Sequence, residues 1–99
     1  MLLRVVMPLE PFNSMVKKGT VGKNLEKIMG DLKPEAAYFT LTDGQRTALM
    51  VININKPGDY VKYAEPFFLQ FDAECSFDIV LTPDELKNSG IEEIGKKYA

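Results

Sequence analysis

Apolar positions along the chain fall into two periods that take turns, one suited to strands and one to helices. Leu2 to Met7 is an aliphatic run stopped by Pro8, the pattern of a first strand. Pro11 to Lys18 suits a short helix with Gly19 as its left-handed terminator. Thr20 is placed to cap a second helix, in which Val21, Leu25, Ile28, Met29 and Leu32 share one side. Lys23, Lys27 and Asp31 occupy the opposite side, and Lys33-Pro34 ends the helix. Glu35–Thr42 and Gln45–Ile54 are two strand-like runs around Asp43-Gly44, a dipeptide that supplies the positive φ angles of a two-residue hairpin turn. Such a turn fixes register, so Phe39 faces Ala48, Ala37 faces Met50, Tyr38 faces Leu49 and Thr40 faces Thr47.

Pro57-Gly58-Asp59 opens a further helix with Val61, Ala64, Phe68 and Phe71 on one stripe and Tyr60, Tyr63 and Phe67 on a second. Pro66 lies inside it, where a proline kinks or interrupts the helix. Ala73–Thr82 reads as a last strand, with Cys75, Phe77, Ile79 and Leu81 on one face. Thr82-Pro83-Asp84-Glu85 is a capping box before a terminal helix that breaks near Ser89-Gly90 and resumes through Ile91, Ile94 and Tyr98. The order is βαββαβ plus a C-terminal helix, an α+β class with the ferredoxin-like split arrangement. It predicts a four-stranded antiparallel sheet (order 4-1-3-2) with helices on one face. Residues 1–99 form a single domain, without repeat or linker.

Composition narrows the chemistry. With no histidine, no tryptophan and the single cysteine Cys75, imidazole acid/base work, imidazole metal sites and disulfide frameworks are excluded. No cofactor is implied. The net charge of −2 argues against nucleic acid as a main partner. No run is long enough to span a membrane, and with one cysteine and no signal peptide the expected compartment is cytoplasmic. The charge is uneven: residues 1–33 hold six basic and three acidic groups, the remainder six and eleven.

The second sheet face would expose Val6, Tyr38, Leu49, Val51 and Val80 together, a patch of the sort that marks an interface. This element order, with Lys33-Pro34-Glu35-Ala36-Ala37-Tyr38-Phe39, Asp43-Gly44-Gln45-Arg46-Thr47-Ala48 and Ala64-Glu65-Pro66-Phe67-Phe68, resembles small bacterial proteins of the dimeric α/β-barrel superfamily. The resemblance implies a homodimer through sheet faces and no established activity. Relatives in that superfamily include cofactor-independent monooxygenases, haem-degrading monooxygenases and isomerases. The chain departs from the haem-degrading pattern, having no histidine for the iron.

Four features are candidates for chemistry. A pocket between helices and sheet would be walled by Ala37, Phe39, Ala48, Met50, Phe68 and Phe77, with Tyr38, Arg46, Asn53, Tyr63 and Glu65 near its mouth. Beside Pro66 and the aromatic Tyr60, Tyr63, Phe67 and Phe68, Glu65 is placed to act as a base with a raised pKa; otherwise it is a solvated helix carboxylate. Arg4 on the first strand is set to pair with Glu74 or Asp78, as a structural ion pair or a ligand anchor. Gly19-Thr20-Val21-Gly22-Lys23 only faintly resembles a phosphate loop and reads better as a helix break. Cys75, on an apolar strand face, reads as an inert thiol. The leading expectation is a homodimeric domain that binds a small, partly apolar molecule. The alternatives are a cofactor-independent monooxygenase or isomerase using Glu65, Tyr63 or Arg46, and a protein-interaction module without a pocket.

Overall fold

In a computed structural model covering residues 1–99, the chain forms β1 (Leu2–Met7), α1 (Phe12–Lys18), α2 (Val21–Leu32), β2 (Ala36–Thr42), β3 (Gln45–Val51), α3 (Asp59–Phe71), β4 (Glu74–Asp78), α4 (Pro83–Lys87) and α5 (Ile91–Lys97). The four strands make one antiparallel sheet in the order β2-β3-β1-β4. The α+β class and the predicted strand order therefore hold.

The hairpin follows its turn. Asp43 and Gly44 take φ of 50° and 79°, the doubly positive pair that a two-residue turn requires. Phe39 faces Ala48, and β1 continues the row, with Val5 opposite Ala48. Leu3, Val5, Met7, Ala48, Met50 and Ile52 then share one buried face. Against it lie Ile28 and Leu32 of α2 and Tyr63, Phe67 and Phe71 of α3. The α2 stripe is as the periodicity predicts, with Val21, Leu25 and Met29 half-buried beside its two buried members.

Several details differ from the sequence reading. Thr20 does not cap α2: it adopts a helical backbone and its hydroxyl donates to the Met15 carbonyl instead. α3 runs without a break through Pro66. Its buried stripe is Tyr63, Ala64, Phe67 and Phe71, which leaves Val61 and Phe68 exposed. The buried side thus takes Ala64 and Phe71 from one expected stripe and Tyr63 and Phe67 from the other. β4 stops at Asp78, well short of Thr82. Its last rung pairs Asp78 with Leu2, and Met1 is already engaged across the sheet, exchanging backbone hydrogen bonds with Ile52. Ile79 and the residues after it find no strand beside them.

Two consequences shape the surface. β2 packs mainly on β3, so Phe39 and Leu41, which point to the helical side, stay 57% and 68% exposed. Every residue from Asp78 to Ala99 is exposed as well. This terminal arm gives the chain a long axis of 59 Å against 28 and 19 Å. The radius of gyration is 17.0 Å, where a compact chain of this length has about 13 Å. The predicted capping box is present in the arm: the Glu85 N–H donates to the Thr82 hydroxyl, and the Thr82 N–H donates to the Glu85 carboxylate. Those bonds hold the Glu85 carboxyl below its ordinary value.

Candidate functional site

The groove with the most distinctive chemistry lies where the uncovered flank of β2 meets the start of α1. Met7, Phe12, Leu25, Phe39, Thr40, Arg46 and Thr47 line a volume of about 270 Å³. Its making is local. Pro8 stops β1 at Met7, the chain turns, and α1 begins at Phe12 beside the end of the sheet where Arg46 enters β3 opposite Met7.

Arg46 is fixed there by two contacts. Its Nη1 donates to Asn13 Oδ1 at 2.7 Å, and its guanidinium lies 4.3 Å from the centre of the Phe12 ring. Phe12 is itself seated on Phe71 of the core, with ring centres 5.6 Å apart. The guanidinium is thus oriented by a neutral amide and an aromatic face, a combination suited to arginine and not to lysine. No carboxylate lies within ion-pair distance, since the only ion pair in the chain is Glu93–Lys96 in α5. Arg46 does act electrostatically on Glu10, whose carboxylate accepts from the Ser14 hydroxyl and N–H. Those bonds, with Lys17 and Arg46 nearby, hold its carboxyl below the usual range. A half-buried cation with unused N–H groups at the edge of an apolar groove attracts an anion with an apolar body.

The sequence-predicted residues do not converge on this groove. Phe39 and Arg46 line it. Met50, Tyr63 and Phe67 are buried in the core, which fills the space where the helix-to-sheet pocket is expected. Phe68 is exposed on α3, and Tyr38 is exposed on the opposite face of the sheet. Asn53 belongs to another groove, of about 320 Å³ at the sheet end, where its amide donates to Glu35. Glu65 is exposed on α3 and outside all three grooves. The expected pairing of Arg4 with Glu74 or Asp78 is not made: its cross-strand neighbours are Ser76 and Leu49, and no carboxylate lies within 4.0 Å. Met7, Phe12, Asn13 and Leu25 were not singled out by sequence reasoning. The signal that finds them is topological: antiparallel pairing of β1 with β3 puts whatever follows Met7 beside Arg46.

Cys75 is half-buried, its Sγ 4.0 Å from the Ala64 carbonyl oxygen. Burial pushes the thiol up to about 11, and the nearby Glu65 carboxylate adds to the rise. Against the ordinary value of 9.0, a neutral solution then holds roughly a hundredth of the usual thiolate, the form that reacts. Alkylation by iodoacetamide is expected to be correspondingly slow at pH 8 and to keep accelerating up to about pH 11. A rate plateau near pH 9 would contradict this. No three His, Cys, Asp or Glu side chains come together as metal ligands, and no helix is long and apolar enough to cross a membrane. No protein-family model matches the chain, and neither curated proteins nor solved structures give a match.

Proposed function

We propose that the protein is a homodimeric ligand-binding domain of the dimeric α/β-barrel kind, and that the Arg46 groove takes a small, partly apolar carboxylate. The observation that carries the ligand reading is the Arg46 guanidinium: held by Asn13 and Phe12, facing an apolar groove, with no carboxylate of its own. The volume of about 270 Å³ falls just below the range of ordinary ligand sites, about 300–1,000 Å³, so the ligand is of one-ring or short-chain size. Met7, Phe12, Leu25 and Phe39 take its apolar part, and the guanidinium takes its charge.

The dimer reading rests on the sheet face away from the helices. Leu2, Val6, Leu49 and Val51 lie half-buried there with no layer packed over them, and Tyr38 is 65% exposed at its margin. A second sheet laid over this face would bury the patch.

Thermal-shift and calorimetric titration with small aromatic and branched aliphatic carboxylates tests the ligand. A binding acid raises Tm, and at a hundredfold excess over its Kd contributes about 2.7 kcal/mol. Arg46→Gln is expected to weaken binding at least about tenfold, while amides of the same acids bind poorly to the wild type. Equal binding of acids and amides, or no response to any acid at millimolar concentration, overturns the reading.

A further inference from the structure

The first turn of α1 holds two opposite charges on neighbouring residues without letting them pair. Glu10 Oε2 accepts from the Ser14 hydroxyl at 2.6 Å and from the Ser14 N–H at 3.2 Å. On the adjoining residue, Asn13 Oδ1 accepts from Arg46 Nη1 at 2.7 Å. The two charges act on one another, yet the only ion pair in the chain is Glu93–Lys96. We infer that Asn13 and Ser14 are positioning residues of the Arg46 groove, which together keep the guanidinium open to an outside anion by holding Glu10 away from it. The inference rests on the ligand reading above and adds the competitor carried by the chain itself, with the contacts that restrain it.

The chemistry of each contact supports the separation. An arginine only donates, so Asn13 turns its carbonyl oxygen toward Arg46 and its NH2 away. That contact orients the guanidinium and leaves its positive charge uncancelled, where an aspartate of the same shape would cancel it. Phe12 covers one face of the guanidinium in the same sense, with an aromatic surface of no net charge. Both groups that hold Arg46 are therefore neutral. Glu10 is the exception in its surroundings: an exposed carboxylate on a flexible side chain, with Lys17 and Arg46 as the cations that act on it. Released, it would be drawn to the half-buried guanidinium as a ligand carboxylate is. Ser14 satisfies it instead, and the bond from its hydroxyl to the ionised oxygen is of the short, charge-assisted kind.

Two measurements on the full-length chain test this. Phenylglyoxal, which adds to guanidinium groups, reads the state of Arg46 with no ligand present, and Arg4, the other arginine, is the reference in the same sample. Peptide mass mapping gives both rates. Ser14→Ala keeps only the longer N–H bond to Glu10, and should slow Arg46 relative to Arg4 about threefold to fivefold, the strength of a partly exposed ion pair. Glu10→Gln added to Ser14→Ala should restore the wild-type ratio, which a mere loosening of α1 would not allow. Benzoate affinity by calorimetry, with benzamide as the neutral control, should fall and recover in the same order. Asn13→Asp keeps the hydrogen bond and adds a charge, and is expected to slow Arg46 and weaken benzoate at least about tenfold. Far-UV circular dichroism reads whether each variant keeps its helices. A Ser14→Ala chain with the wild-type Arg46 rate, or a slowed rate that Glu10→Gln leaves uncorrected, overturns the inference. An Asn13→Asp chain that reacts and binds as the wild type overturns the part given to Asn13. Rates in the expected order, in a chain that binds none of the acids, uphold the separation of charges and overturn the ligand reading alone.

Discussion

Phe67→Ala is expected to remove most of the stability of this domain. The ring has no exposed surface, stacks at a tilt on Phe71 with centres 6.3 Å apart, and belongs to the cluster where α3 meets the sheet. Truncating a buried Phe costs about 3–5 kcal/mol, part lost transfer energy and part cavity. Only 14 of 99 residues are buried, so the domain belongs at the low end of the usual range of about 5–15 kcal/mol. At about 4–8 °C per kcal/mol for a domain of this size, Tm should fall by roughly 15–30 °C. Thermal and urea unfolding followed by circular dichroism measure it. A fall under about 5 °C would mean that α3 does not anchor the core.

The preceding residue carries the opposite expectation. Pro66 stands in the interior of α3, where it has no N–H to donate to the Lys62 carbonyl and its ring crowds that oxygen. A proline in a helix interior costs about 3 kcal/mol relative to alanine. Part of that is returned, since proline restricts the unfolded chain by about 0.4–1 kcal/mol. Pro66→Ala should therefore stabilise the domain by about 2 kcal/mol and raise Tm by about 8–15 °C. The ring is only half-buried, at the edge of a groove with Asn24, Leu69 and Gln70, so little packing is lost. A neutral or destabilising result would show that the ring's contacts outweigh the missing bond. Measured together, the two variants separate what α3 contributes by packing from what it loses in its backbone.

Much of the fold can be read from local signals. Asp43-Gly44 dictates a turn geometry, and the turn dictates the register of every rung between β2 and β3. The α2 stripe and the capping box at Thr82 are equally local, each set by a few residues at fixed spacing. Where the reading failed, the deciding contact lay far off in sequence. Ile79–Leu81 has the alternation of a strand, but a strand exists only beside another, and β1 offers its last rung to Asp78. The phase of α3 is set by which residues meet Leu3, Val5 and Met50, and the aromatic spacing of the helix permits two answers. The candidate site suffered most. Tyr63 and Phe67 are chemically attractive but spent on packing, while Arg46 becomes distinctive only through Asn13 and Phe12, with all of α2 and β2 between them in the chain.

The first rung of the sheet also sets how the domain answers to mechanical load. β1 and β4 run antiparallel, and Leu2 stands directly opposite Asp78. A pull applied at those two residues acts across the rungs and not along the strands, so it loads one pair of hydrogen bonds at a time. The sheet opens like a zipper from that end, and the next rung, Leu3 with Phe77, takes the strain only when the first has parted. Each rung gained by the pull bares another buried residue of β1, with Leu3 first and Val5 next. Resistance to such a pull comes from packing behind the sheet and not from the strands themselves, which makes the side chains of α3 the mechanical as well as the thermodynamic anchor.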